Sequence, residues 1–150
     1  MSHARRLTFA FAFTTLAGPF AAIAQSADRV ADVKTMGTCS GCVLEGQGFT
    51  ERRLMGIKFA SATLTNMNFS GASMNIAVFD DAVLRDVNFD GADLKGASFV
   101  GTRLENVTFD GADLSGAVFE GAVLLDTDLQ RGRLCNTQLP DDIMDESDCQ

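Results

Sequence analysis

The chain has 150 residues, a formal net charge of −8, one histidine, and no tryptophan or tyrosine. This length accommodates one domain, and the acidic balance disfavours binding to nucleic acid or to an anionic membrane while permitting attraction to basic partners. The histidine, His3, lies in a segment predicted to be removed, which excludes Ser-His-Asp or Cys-His catalysis in the mature chain.

Residues 1–24 have the organisation of a secretory signal peptide. A basic pair, Arg5 and Arg6, precedes the apolar stretch 7–20, and the small residues 22–24 form a cleavage site before Gln25. A retained membrane anchor is the alternative, but the stretch is short for a span and contains a glycine and a proline. We therefore expect a periplasmic or secreted protein with no stable membrane insertion after cleavage.

Residues 25–38 are predicted to form an N-terminal cap, helical or irregular. Val30, Val33 and Met36 follow one another at helical spacing, and Gly37 is a plausible stop. Such a stripe could cover the first turn of the structure that follows it.

A strict apolar period of five begins at Leu44 and ends at Leu139. A helix returns a side chain to the same face after about 3.6 residues and a strand after about two, so neither element produces this pattern. A coil of short sides and corners does, with one anchor per side pointing to the axis. The anchors are Leu44, Phe49, Leu54, Phe59, Leu64, Phe69, Met74, Phe79, Leu84, Phe89, Leu94, Phe99, Leu104, Phe109, Leu114, Phe119, Leu124, Leu129, Leu134 and Leu139.

The positions around the anchors predict corners. Two residues after the anchor, glycine occurs nine times and asparagine three times, and both tolerate the positive φ of a type II turn. Ile76 occupies an equivalent place, so we expect a different turn there. Arg52 falls at a small inward position, and we expect it to turn outward and distort the first coil.

The units 92–96 (ADLKG), 97–101 (ASFVG) and 112–116 (ADLSG) resemble the A(D/N)LXX repeat of pentapeptide-repeat proteins. The resemblance implies an all-β fold, a right-handed quadrilateral β-helix with four pentapeptides per coil. It predicts about five coils over residues 39–141, with a C-terminal closing segment at 142–150. On this fold, phenylalanines ten residues apart alternate between two opposite sides and form a core ladder. Its members are Phe49, Phe59, Phe69, Phe79, Phe89, Phe99, Phe109 and Phe119.

Four cysteines, Cys39, Cys42, Cys135 and Cys149, bracket the repeat. The first pair resembles the CxGC element that opens exported members of the family, and the second pair resembles their closing segment. The resemblance implies disulfides Cys39–Cys42 and Cys135–Cys149. A four-cysteine zinc site is an alternative that the distance between the two ends opposes, and a redox role for the first pair is a further one. Beyond Pro140, we expect Ile143 and Met144 to fold over the last coil.

The outward faces offer two candidate surfaces. The second side presents an acidic face of Glu51, Asp90, Asp110 and Asp128. The fourth side presents Val78, Val100 and Val118 beside Asp80, Asp81 and Glu120. Flat faces provide no cleft for paired carboxylates, so we expect no catalytic residues, no metal site and no cofactor.

These observations favour a non-enzymatic, exported scaffold or interaction module that binds another protein through a flat face. The alternative comes from the resemblance, because some family members mimic duplex DNA and bind DNA gyrase. Export opposes that alternative, since gyrase is cytoplasmic. The sequence does not predict the identity of the partner or the oligomeric state.

Overall fold

The computed structural model describes residues 37–150. The predicted signal peptide at 1–24 and most of the predicted cap at 25–38 lie outside these residues. The described chain begins at Gly37, and its first ladder contact is the parallel bridge between Thr38 and Lys58.

Five short parallel strands form the first side of a four-sided β-helix. Each strand pairs with the next at a register of twenty residues, so that Leu44 lies beneath Leu64 and Leu64 beneath Leu84. The other three sides are built from single parallel bridges at the same register, such as Gly48 with Asn68. The strands are β1 (Val43–Glu45), β2 (Thr63–Thr65), β3 (Val83–Arg85), β4 (Arg103–Glu105) and β5 (Val123–Leu125). The predicted all-β quadrilateral β-helix is confirmed.

In this order, the second side runs through the anchor Phe49, the third through Leu54 and the fourth through Phe59. All eight phenylalanines of the predicted ladder are 0 to 1% exposed. Rings of one side stack on each other with centroids 4.7 to 5.5 Å apart, as Phe79 does on Phe99. Rings of opposite sides meet edge to face in the middle coils, as Phe89 and Phe99 do at 6.2 Å. Both arrangements are favourable for the quadrupoles of aromatic rings. The phenylalanines therefore fill the interior and also pack in preferred ring geometries.

The coil count differs from the expected five. Four regular turns separate β1 from β5, and a 3-10 helix, Leu129–Arg131, then replaces the bridge of the second side. The side chain of Asp128 accepts a hydrogen bond from the N–H of Gln130 at 2.9 Å and caps this helix. Gly132 follows it, where a Cβ atom would lie 2.9 Å from Leu114 Cδ1. The second side of the fifth coil is therefore a local turn that its own residues stabilise, while its third and fourth sides keep the twenty-residue register.

The chain ends in an antiparallel hairpin of β6 (Thr137–Gln138) and β7 (Met144–Asp145). Gln138 also bridges Val118 on the coil below, so the hairpin extends the fourth side by one strand. The expectation that Ile143 and Met144 cover the core is wrong, because they are 58% and 51% exposed. Backbone pairing fixes this segment as an edge strand and leaves both side chains outside.

Other residues close the end of the core. Asp148 donates its N–H to the Leu134 carbonyl and accepts from the Leu134 N–H, both at 2.9 Å, and Leu134 is fully buried. The half-buried Leu124 and Leu139 line a neighbouring depression of about 440 Å³. The last coil is therefore only partly covered.

Ile76 adopts the turn that its side chain disfavours. Its φ is +54°, whereas we expected a different turn at this corner. Its N–H donates to the Lys95 carbonyl at 2.9 Å, as the N–H of Gly56 donates to Asn75 one coil below. The ladder on both sides fixes the backbone, at a cost of about 1 to 2 kcal/mol for an L-residue in this region. The side chain lies between two glycines of the same corner, and a Cβ atom on Gly96 would lie 3.5 Å from Ile76 Cγ2.

The expectation for Arg52 holds only for its side chain. That side chain is exposed, but the backbone keeps the regular coil. Its N–H donates to the Phe49 carbonyl at 3.2 Å, and its carbonyl accepts from the Ser73 N–H at 2.8 Å. The coil is not distorted, because the guanidinium stays in solvent while the ladder bonds of the backbone remain.

Replacing Ile76 by asparagine is expected to stabilise the protein. Asparagine tolerates positive φ, so Ile76→Asn should raise the free energy of unfolding by about 1 kcal/mol. Urea unfolding measures this change. Asn66→Ile, at an exposed corner with the same φ of +54°, is the matched control and should lower the free energy of unfolding by a similar amount. Equal stability of all three proteins would show that the corner carries no strain.

Candidate interaction surfaces

The cysteines are held in two disulfides at opposite ends of the β-helix. The bonds join Cys39 to Cys42 and Cys135 to Cys149, the pairs that the resemblance implies. Cys39 and Cys42 are 7% and 5% exposed, which shields the first pair from attack by an external thiolate. Within residues 37–150, no group of three or more His, Cys, Asp or Glu side chains is arranged to hold a metal ion. The same residues contain no helix of the length and hydrophobicity that a membrane span requires.

The predicted acidic face on the second side is only partly assembled. Asp90 and Asp110 lie on successive coils, and the Asp110 N–H donates to Asp90 Oδ1 at 3.0 Å. Asp128 lies beyond them, and one of its carboxylate oxygens caps the 3-10 helix. Glu51 is separated from Asp90 by two coils and lies beneath Gly71 at the corner.

Arg131 neutralises the centre of this face and was missed by sequence reasoning. Its Nε and Nη2 donate to the two oxygens of Asp110 at 2.7 and 3.0 Å. This bidentate hydrogen bond, with the guanidinium charge, holds the pKa of Asp110 below its ordinary value. The sequence signal for this pair is its separation of 21 residues, which is one coil of twenty residues plus one residue. The second side is therefore a satisfied polar surface and not a uniform field of negative charge.

The third side carries a ladder of ion pairs that sequence reasoning also missed. Lys95 Nζ lies 3.2 Å from Asp113 and 3.7 Å from Asp93, and Arg133 lies 3.7 Å from Asp113. Burial acts to raise the pKa of Asp113, but hydrogen bonds from Ser115 and Lys95 outweigh it and lower that pKa. Asp93, Asp113 and Arg133 recur every twenty residues, which is the register of the coils.

The first side also carries ion pairs. Arg85 Nε lies 3.3 Å from Glu105, and Arg103 Nε lies 3.8 Å from the same carboxylate. These groups are more than 40% exposed, so each pair contributes little to stability and the cluster chiefly fixes side-chain positions.

The fourth side differs from the other three. Ala60, Val78, Val100 and Val118 are half-buried there, and no ion pair crosses this side within the described residues. Its central polar group is Asp80, whose Oδ1 accepts from Ser98 Oγ at 2.5 Å and from the Val100 N–H at 3.2 Å. The exposed carboxylates of Asp81 and Glu120 stand at its margin toward the first side. The fourth side is thus a flat wall with an apolar centre and an acidic rim.

Removing Arg131 is expected to raise the pKa of Asp110. In Arg131→Gln the hydrogen bonds to both carboxylate oxygens are lost, so an NMR titration of this carboxyl should move upward toward the ordinary aspartate value. Because the folded-state pKa lies below the unfolded one, the pair stabilises the fold above the unfolded pKa, and that stabilisation disappears as the pH falls through the folded pKa. The variant should lose this part of the acid dependence.

Arg103→Gln is the control for this titration, because Arg103 pairs with Glu105 on another side. It should leave the pKa of Asp110 where it is. An unchanged titration of Asp110 in Arg131→Gln would contradict the pairing.

Comparison with known proteins agrees with this architecture. A family model described as pentapeptide repeats (9 copies) matches residues 84–127, and one described as pentapeptide repeats (8 copies) matches residues 53–89. Together they span residues 53–127, which is half of the 150-residue chain. Among curated protein sequences, none matches the chain.

Solved structures with a similar fold include a pentapeptide repeat protein from the thylakoid lumen of Arabidopsis thaliana. It is 28% identical over 66% of this chain and 66% of its own length, just under two thirds, with a TM-score of 0.52. QnrB1, a plasmid-mediated fluoroquinolone resistance protein, is 17% identical over 61% of this chain and 57% of its own, with a TM-score of 0.48. Rfr23, from the cyanobacterium Cyanothece 51142, is 19% identical over 71% of this chain and 92% of its own, with a TM-score of 0.37. The repeat matches, the twenty-residue register and the phenylalanine ladder together assign the chain to the pentapeptide-repeat family.

Proposed function

We propose that this protein is an exported, non-enzymatic interaction module that binds another protein through its fourth side. The observation that carries the proposal is the contrast between the sides. The first three are cross-linked by ion pairs among their own residues, whereas above Lys58 the fourth presents valines around Asp80, which is hydrogen-bonded to Ser98.

The fourth side is suited to association because little has to be disrupted when it leaves water. Burying apolar surface contributes about 25 cal/mol per Å², and the half-buried Val78, Val100 and Val118 supply that surface. Covering an ion-paired side would instead desolvate charges, which costs several kcal/mol per ion. A partner with an apolar centre and basic groups at its edge would complement the wall and its rim of Asp81 and Glu120.

Several features support a binding role over catalysis. The bulky side chains are consumed by the core, the outward faces are flat, and the described residues contain no histidine. All four cysteines are in disulfides, so a free thiolate is not available as a nucleophile.

Export is part of the proposal. Residues 1–24 have the features of a signal peptide, and disulfides persist in oxidising compartments such as the periplasm. DNA mimicry of the kind that targets gyrase is less well supported. A DNA mimic has to display unpaired negative charge along a face, whereas on the second and third sides Arg131 and Lys95 engage Asp110 and Asp113, although other carboxylates stay unpaired.

Affinity capture with a substitution on the wall tests the binding side. Val100→Lys places a charge at the centre of the fourth side, and the variant should lose the partners that the unmodified protein retains from an envelope extract. Val83→Lys is the matched control, because Val83 is also half-buried and faces outward, but from the first side. It should retain those partners.

Capture by Val100→Lys that equals capture by the unmodified protein would refute binding through this side. The intact mass of protein recovered from the periplasm tests export separately. We expect a chain beginning at Gln25 and lacking four protons, and a full-length reduced chain would contradict export.

A further inference from the structure

Charge is distributed unevenly along the axis of the β-helix. Residues 37–78 contain three basic and two acidic residues, a net charge of +1. Residues 79–150 contain five basic and sixteen acidic residues, a net charge of −11. The molecule is therefore electrostatically polarised from its N-terminal end to its C-terminal end.

The basic residues of the two regions are also used differently. Each of the five beyond residue 79 lies within 4 Å of a carboxylate, four of them of one on a neighbouring coil and Arg103 of Glu105 on its own strand. Arg52, Arg53 and Lys58, in the first coil, are exposed and form no ion pair with another residue of 37–150. Within the described part of the chain, no carboxylate neutralises these three charges.

Two exposed apolar side chains lie among these three charges. Met55 is 69% exposed, and Ile76, one coil above, is 60% exposed. Both stand at the corner between the third and fourth sides, where the positive φ of Ile76 holds its side chain outward. We call this cluster the basal patch: Arg52, Arg53, Met55, Lys58 and Ile76.

The opposite end of the β-helix presents the complementary combination. Ile143 and Met144 project from the edge strand β7 and are more than half exposed. Exposed carboxylates of Asp141, Asp142 and Glu146 surround them. We call these five residues the apical patch.

The apical patch continues the fourth side, and the basal patch extends from Lys58 of the fourth side across the adjoining corner to Arg53 of the third side. The bridges Thr38–Lys58 and Val118–Gln138 mark the two ends of the fourth side, and Met144 pairs with Gln138 one strand further on. A second molecule displaced along the axis would therefore bring its basal patch to the apical patch of the first without a large rotation.

We propose that the protein associates head to tail, with the basal patch of one copy binding the apical patch of the next. The three cationic side chains of the basal patch would meet the three carboxylates of the apical patch. The Met and Ile of one patch would meet the Ile and Met of the other. An anionic membrane is a poorer fit to the basal patch, because the acidic residues beyond residue 79 would be repelled by it. The contact is heterologous, so it leaves one patch open at each end and permits short rods.

This association goes beyond the proposed function and does not use the valines of the fourth side. Val100→Lys should leave it unchanged, so failure of partner binding and failure of self-association can be told apart.

Substitutions that reverse the charge of each patch test the proposal. The association state is measured by sedimentation velocity at low salt. The unmodified protein should form dimers and longer species whose population falls as salt is raised. Arg52→Glu/Arg53→Glu and Asp141→Lys/Glu146→Lys should each be monomeric alone, because like charges then meet. Mixing the two variants should restore association, since the exchanged patches complement each other and the unchanged patches still fit.

A second variant separates loss of contact from loss of folding. Ile76→Asn removes an apolar side chain from the basal patch while relieving backbone strain, so it should raise the dissociation constant about tenfold without unfolding the protein. An unmodified protein that stays monomeric at low salt would overturn the proposal. Unchanged self-association in the charge variants would also overturn it, as would vesicle binding through Arg52 and Arg53 by a protein that does not self-associate.

Discussion

The whole structure depends on stacking each coil directly over the one below at the spacing of one hydrogen-bonded strand. Twenty residues are available to complete the circuit, so each side is one short segment and each corner is a tight turn. The ladder fixes the position of every anchor, which places Phe79 over Phe59 and under Phe99. A ring that stacks at about 5 Å matches the coil spacing, so aromatic packing and backbone pairing reinforce the same register.

This constraint also explains why particular departures are tolerated. Thr102 occupies a small inward position, and its hydroxyl donates to the Phe79 carbonyl at 2.7 Å, so a buried polar group remains satisfied. Ile76 accepts a left-handed conformation because the ladder bonds above and below leave its backbone no other path. Local preference yields to the ladder wherever the two conflict.

The interior was largely predictable from the sequence. Apolar anchors recur every five residues, small residues occupy the second inward position, and phenylalanine occupies alternate anchors. The exceptions have identifiable physical causes. Turn preference alone predicts the wrong conformation for Ile76, because it leaves out the ladder bonds on both sides of this corner. Hydrophobicity alone predicts the wrong position for Ile143 and Met144, because backbone bonds to Leu139 and Gln138 hold them in an edge strand. The ion pairs Arg131–Asp110 and Lys95–Asp113 depend on which side chains become neighbours across coils, and only the folded register reveals that.

Because the core consumes the bulky side chains, recognition is left to differences between the sides and between the two ends. Ion pairs occupy three sides, valines occupy the fourth, and charge changes sign along the axis. The proposed partner contact uses the difference between sides, and the proposed self-association uses the difference between ends. Neither requires a pocket.

Removing a whole coil tests the central claim most directly. Deletion of residues 80–99 removes twenty residues and joins Phe79 to Val100 in the same register, whereas deletion of 80–97 removes eighteen and shifts every later anchor off the axis. The first variant should unfold cooperatively in urea with an m-value reduced in proportion to its smaller buried surface. The second should lose the cooperative transition. Equal cooperativity in both variants would contradict a fold built on twenty-residue coils around a dry axis.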